Sequence, residues 1–291
     1  MRLIWCWLLL FSASSVMAQS QQKREEMIVD GMERAFVSYV PEGQTNKMPI
    51  VISLHGGFAT SKSMLRLADF RPLADQDKFI LVCPASKKLW HDGADNKGID
   101  DVKFIDELIT YILKTYNGDA SRVYVTGISN GGFMTSRLAS QLHNRIAAIA
   151  VVAATLDVTE GYDIEKPMPV IYMHGTNDNI VSYNGGKTFG REIYSHDQII
   201  KKWVALNNCD PKPVITQIPD NAKDGTTVVK EEYSNPNGLK VIGYTINNGG
   251  HTWPGGRQYL PKFIVGKATR NLNACQVIWG FFKSYQLKSA I

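Results

Sequence analysis

Cysteine is scarce in this chain. Only four occur in 291 residues, and one of them, Cys6, lies inside an N-terminal apolar run. The remaining Cys83, Cys209 and Cys275 are odd in number, so no disulfide framework is available, and none has the CxxC spacing of a zinc ligand. A single bridge between Cys209 and Cys275 stays open, while Cys83 closes an apolar run and is expected as a buried thiol. Long hydrophobic runs are also missing. The apolar stretch 3–11 is too short to span a bilayer. Charge of one sign is mild: the formal net charge is +5, and removal of Arg2 alone would leave +4. That excludes the basic footprint of a nucleic-acid binder. No internal repeat, low-complexity segment or Ser/Thr-rich linker is present, so no appended binding module is expected.

What is present begins with an address label. Met1-Arg2 is a positive start, 3–11 is apolar, and Val16-Met17-Ala18 has small residues where signal peptidase cuts. Residues 1–18 are therefore expected to be an export signal and 19–291 a single domain, which is secreted to an extracellular or periplasmic space. Cys6 lies within the apolar run rather than after it, which argues against lipid attachment.

Along the mature chain, 19–26 is a polar leader and 34–40 alternates as a strand. The run 48–54 is almost continuously apolar and ends in His55-Gly56-Gly57, the pattern of a buried parallel strand entering a tight loop. Further strands are expected at 79–82, 123–126, 146–153 and 170–174. Helices are expected at 102–116, 131–143, 196–206 and about 273–285. The runs 228–233 and 239–246 flank Asn235-Pro236-Asn237-Gly238 as a hairpin. Alternating strands and helices predict an α/β fold, a mostly parallel sheet covered by helices on both faces. In such sheets the loops at the carboxyl ends of the strands carry the chemistry.

Gly127-Ile128-Ser129-Asn130-Gly131 is a G-x-S-x-G sequence with a strand before it and a helix after it. Its glycines permit the sharp turn that lifts a serine hydroxyl clear of the sheet. Serine is a poor nucleophile until a base takes its proton. Of six histidines, His251 in Gly249-Gly250-His251-Thr252-Trp253-Pro254 sits on a glycine-rich loop near the chain end, after a strand. His143 is expected to cap a helix and His196 to be exposed. His91 lies in a polar loop, and His55 and His174 close strands in structural roles. A carboxylate must fall between the serine and the base. Asp178, after the strand 170–174, is favoured, with Asp157 and Asp163 as competitors. Gly57 and Phe58 are candidate oxyanion donors, together with the Asn130 N–H. Trp90 and Trp253 are the aromatic residues expected to border the substrate. Asp92, Asp95, Asp100 and Asp101 cluster in one loop but lack the alternating pattern of an EF-hand, so no metal is expected. Asp101 is better suited to opening the following helix.

Taken together, these stretches resemble the secreted α/β-hydrolase esterases that group poly(3-hydroxybutyrate) depolymerases with feruloyl and acetylxylan esterases. The resemblance rests on Leu54-His55-Gly56-Gly57, on 100–105, on 122–132, on 174–178, on 249–255 and on 278–282. It implies a Ser129, Asp178, His251 triad, no cofactor, and ester substrates drawn from extracellular polymers such as esterified xylan, or hydroxyalkanoate oligomers. Relatives often pair a cysteine at the Cys209 position with one near Tyr233. Here Ser234 and Asn235 stand there, so that bridge is not expected. A non-catalytic binding protein on the same scaffold would lack a triad position, and none is lacking. A serine peptidase would need a propeller or cap domain, for which the chain has no room, or an amine-recognising acid.

Overall fold

The computed structural model describes residues 20–43, 46–93, 98–158, 163–188 and 190–288. The expected export signal, the loop residue Asp95 and part of the leader lie outside them. The strands are β1 (Gln21–Val29), β2 (Met32–Val40), β3 (Met48–Leu54), β4 (Ile80–Pro84), β5 (Gly118–Ile128), β6 (Ala148–Val152), β7 (Val170–Gly175), β8 (Gly186–Thr188), β9 (Arg191–Ile193), β10 (Val214–Ile218), β11 (Thr227–Ser234) and β12 (Lys240–Asn247). The helices are α1 (Ser61–Leu67), α2 (Arg71–Asp77), α3 (Asp101–Thr115), α4 (Asn130–Gln141), α5 (His196–Leu206), α6 (Lys262–Val265) and α7 (Ala274–Phe282).

Ten strands form one sheet in the order β1-β2-β4-β3-β5-β6-β7-β12-β11-β10. The central strands from β4 to β12 are parallel, and antiparallel ribbons close both ends. Strand β3 is buried at every position, as its unbroken Met48-to-Leu54 run requires in a sheet covered on both faces. Its alternate side chains enter two separate cores. Ile50, Ile52 and Leu54 pack with α3, α4 and α5, whereas Val51 packs with α1, α2 and α7.

This layering decides the cysteine question. Cys209 belongs to the first core and Cys275 to the second, with the sheet between them. The bridge left open between them does not form, and Cys83, Cys209 and Cys275 are all free and buried. Burial pushes the Cys275 thiol up to about 12.

The polar leader carries no strand pattern of its own, yet 21–29 is strand β1, paired antiparallel with β2. Helices α1 and α2, the β8–β9 ribbon, the edge strand β10 and the short α6 are further elements that the sequence pattern does not announce. Helix α3 is opened by the Asp100 side chain, which accepts from the Lys103 N–H. Asp101, one residue on, instead turns its carboxylate inward to the Arg34 guanidinium on β2, and both side chains are only 1% exposed. The same carboxylate accepts from the His91 N–H at 2.8 Å.

Candidate active site

Ser129 stands between β5 and α4 with φ 58° and ψ −127°. A positive φ at a non-glycine residue is strained and is held only when the surroundings over-determine it. Its N–H donates to the Val152 carbonyl of β6 at 3.0 Å, which pins the turn. The glycines explain why the turn can be so tight. A Cβ on Gly127 would lie 2.3 Å from the Gly131 carbonyl oxygen, and one on Gly131 would lie 2.5 Å from the Leu54 and His55 carbonyl oxygens.

The loop after β3 closes against this serine. A Cβ on Gly56 would meet the Ser129 Cβ at 3.4 Å, and one on Gly57 would lie 3.9 Å from the Asn130 Cβ. Among the described residues, neither the Gly57 N–H nor the Asn130 N–H has an acceptor inside the protein. The Asn130 N–H is free because it opens a helix. Phe58 departs from expectation. Its N–H donates to the Lys88 carbonyl at 3.1 Å, so it is not available to an oxyanion. Its ring is 83% exposed instead.

The Asn130 side chain clamps the loop after β4. Its Oδ1 accepts from the Trp90 N–H at 2.6 Å, and its Nδ2 donates to the Trp90 carbonyl at 3.0 Å and to Asp92 Oδ2 at 3.1 Å. The Trp90 indole N–H donates to the His55 carbonyl at 2.9 Å. Trp90 is therefore a strut between the two loops flanking Ser129, and at 2% exposure it is not a pocket wall. Trp253 is 1% exposed and packs edge-on to Phe70. Both indoles are almost fully buried, unlike the open aromatic walls expected at these positions.

His251 and Asp178 come together although they are 73 positions apart: His251 Nδ1 lies 2.8 Å from Asp178 Oδ2. Their loops are tied by the backbone as well, since the Asn177 N–H donates to the Gly249 carbonyl at 2.8 Å. Tyr259 fixes the base loop by donating its hydroxyl to the His251 carbonyl at 2.7 Å. Asp178 Oδ1 accepts the Ile180 and Val181 N–H groups at 2.9 and 2.8 Å. Burial alone would raise the affinity of this carboxyl for its proton. The hydrogen bonds from His174 and His251 outweigh that and hold it well below the usual carboxylate range. The competing carboxylates have other partners: Asp157 lies 3.4 Å from the Arg191 Nε and Asp163 lies 3.0 Å from the Lys202 Nζ.

The other histidines divide. His143 Nδ1 sits 3.0 Å from the Ser140 carbonyl at the end of α4, and His91 Nδ1 lies 3.0 Å from Asp101. His55 Nε2 accepts from the Ser86 N–H at 3.1 Å. His196, expected at the surface, is completely buried against β12. There Gly243 makes room, since a Cβ on it would lie 3.3 Å from His196 Nε2.

Apolar side chains are exposed beside these loops, all but Phe58 outside the motifs. Phe58 and Leu89 stand next to the Gly57 turn, and Tyr259, Leu260, Phe263 and Ile264 lie in the segment that follows His251. The signal for the second group was an apolar cluster just after the base, within an otherwise polar loop.

Among solved structures, an acetyl xylan esterase from Aspergillus awamori superposes with a TM-score of 0.59 at 18% identity, over 80% of this chain and 94% of that one. The chain has the α/β-hydrolase fold. Within this α/β-hydrolase, residues 85–184, which carry Ser129 and Asp178, match the prolyl oligopeptidase family. The chain is 31% identical over 164 residues to a bifunctional acetylxylan esterase/xylanase of Neocallimastix patriciarum, covering 55% of this chain and only 23% of that protein. It is 26% identical over 270 residues to a feruloyl esterase B of Neurospora crassa, covering 78% of this chain and 86% of that one. No helix among the described residues of the hydrolase is long and apolar enough to cross a membrane.

Proposed function

We propose that this α/β-hydrolase is an exported serine esterase of the feruloyl type, acting on carboxylic esters of plant cell-wall polysaccharide. The observation that carries this reading is the 2.8 Å bond from His251 to the buried Asp178 carboxylate, made beyond the carboxyl ends of β12 and β7, parallel to the strand β5 that ends in the strained Ser129 turn. In this reading Asp178 holds the His251 proton on Nδ1, leaving Nε2 free to take the hydroxyl proton as Ser129 Oγ attacks the ester carbonyl. The Gly57 and Asn130 N–H groups hold the resulting oxyanion. His251 then protonates the leaving alkoxide, and water hydrolyses the acyl-serine by the same route in reverse. No cofactor enters.

The exposed apolar side chains around the loops support an aromatic acyl group, and the names of the relatives support a xylan-derived alcohol. The same apolar surface also favours hydroxyalkanoate oligomers as a second reading. A parallel assay of methyl ferulate, acetylated xylan and 3-hydroxybutyrate trimer separates them. The expected result is a kcat/KM for methyl ferulate at least about tenfold above that for the trimer, the discrimination one well-filled apolar contact supplies. The opposite ranking would replace the feruloyl reading with the second one.

Phe263, which is 84% exposed, tests the acyl contact. Phe263→Ser is expected to raise KM for methyl ferulate by about tenfold, the effect of losing most of one buried aromatic contact, and to leave hydrolysis of p-nitrophenyl acetate unchanged. Equal losses on both esters would remove Phe263 from the acyl site.

A further inference from the structure

Asp178 Oδ2 serves two imidazoles. His251 Nδ1 lies 2.8 Å from it, and His174 Nε2, at the end of β7, lies 3.2 Å from the same oxygen. The side chains of His174 and Asp178 are both 0% exposed. We infer that His174 is a positioning residue, acting through Asp178 to set how strongly that carboxylate holds the proton and orientation of His251. The inference rests on the proposed triad and extends it to a second histidine.

The surroundings fix which nitrogen of His174 carries its proton. Nε2 is also 3.0 Å from the Val181 carbonyl, an acceptor only. Nδ1 is buried and has no hydrogen-bond partner among the described residues. A proton on Nε2 therefore satisfies two acceptors, the Val181 carbonyl and Asp178 Oδ2, whereas a proton on Nδ1 would satisfy none. With His174 as donor, the carboxylate accepts from two backbone N–H groups on Oδ1 and from two imidazoles on Oδ2.

The titratable groups around this cluster come from several elements, among them Glu231 of β11, whose charge acts on Tyr183. From α5 come His196, whose ring meets His174 edge-on at 6.0 Å, and Asp197, which accepts from the Tyr183 hydroxyl at 3.1 Å. From the loop after β7 come Asp178 itself and Tyr183, which stacks on His196 at 5.1 Å. From the base loop come His251 and Tyr259. Burial lowers His196 to about 3, so it stays uncharged at neutral pH and does not repel a proton on its neighbour. Tyr183 is pushed up to about 12, chiefly by burial, and remains a neutral hydroxyl.

The consequence has a definite sign. A donor on Oδ2 withdraws negative charge from the oxygen that faces His251. Removing it makes that oxygen a stronger partner for the imidazolium, so His251 keeps its extra proton to higher pH. The acid limb of kcat/KM, which requires neutral His251, then moves up.

The test compares two replacements. His174→Phe keeps a flat ring and loses the donor, whereas His174→Gln keeps an amide N–H near the position of Nε2. The acid limb is expected to rise by about one pH unit in the Phe variant, the size of one lost hydrogen bond, and to stay near wild type in the Gln variant. A Phe variant with reduced Tm or active fraction but an unmoved acid limb would make His174 merely structural and overturn the inference. Should the Phe variant not fold, ¹⁵N-histidine spectra of the wild type decide: a protonated Nε2 on His174 supports the role, and a protonated Nδ1 overturns it. Failure of the triad itself is recognised separately, by Asp178→Asn retaining full activity. Loss of activity in Asp178→Asn with an unmoved profile in His174→Phe would discard the His174 role alone.

Discussion

Ser129→Ala is expected to lower kcat on p-nitrophenyl acetate by on the order of 10⁶-fold, the loss seen when the nucleophile of such a unit is removed. The protein should remain folded, because alanine and serine bear similar strain at φ 58° and the Ser129 side chain makes no capping hydrogen bond to α4. Only the hydroxyl is lost. The Gly57 and Asn130 N–H groups, the His251–Asp178 pair and the surrounding apolar surface all persist, so residual hydrolysis should still exceed that of water by about 10³–10⁴-fold. The measurement pairs initial rates with a thermal melt. A variant with the wild-type rate would remove Ser129 from the chemistry, and a variant with no transition would transfer the effect to folding.

The second large effect concerns stability and originates far from the serine. Arg34→Met is expected to lower the free energy of unfolding by about 3–5 kcal/mol, because it leaves the Asp101 carboxylate buried without its guanidinium. Arg34 also lies over the Phe104 ring, 3.9 Å from its centre, so methionine retains part of the apolar contact and the charge is the main loss. The double variant Arg34→Met/Asp101→Asn should recover more than half of the deficit, since the uncompensated charge is then gone. Urea unfolding of the three proteins reads this directly. Equal stability of the single and the double variant would mean that the pair contributes packing alone.

The pair also bears on the site. Asp101 holds the His91 N–H, and the preceding residue, Trp90, is the one that Asn130 clamps beside Ser129. A charge on β2 is thereby joined through three contacts to Asn130, the residue that follows Ser129.

The parts of this arrangement that could be read in advance are those with strong local chemistry. The buried runs of β3 and β7 are legible because a strand covered on both faces has nowhere to place polar side chains. Helix α5 falls on 196–206, as its periodicity indicates, and Ser195 caps it through the Gln198 N–H. The glycine-bracketed Ser129 and the loops bearing His251 and Asp178 are likewise motifs in which backbone geometry demands particular residues. Strand β1 was hidden because a ribbon at the edge of the sheet leaves its first four residues, Gln21 to Arg24, exposed, so no alternation marks it. Strand β10 was hidden for the same reason, with four of its five residues exposed. Helices α1 and α2 have seven residues each, too few for a periodic stripe.

Side-chain direction was the least legible feature. Trp253 lies two residues from His251 and Trp90 in the Asp-rich loop after β4, but a large apolar ring gains most by burial, and both turn into the protein. His196 opens a helix, a position that is usually solvated, yet it points beneath β12 into the space that Gly243 leaves. Such outcomes depend on which neighbours arrive from elsewhere in the chain, and local pattern does not contain them.

The crossed order of the sheet has a kinetic consequence. Strand β3 pairs with β5 across a long excursion of the chain, and β7 pairs with β12 across another, so the His251–Asp178 bond and the loops around Ser129 depend on contacts of high sequence separation. Closing such loops is entropically slow compared with forming local helices. A nascent or refolding chain acquires its helices well before it can turn over any ester, which makes recovery of activity a late marker of assembly.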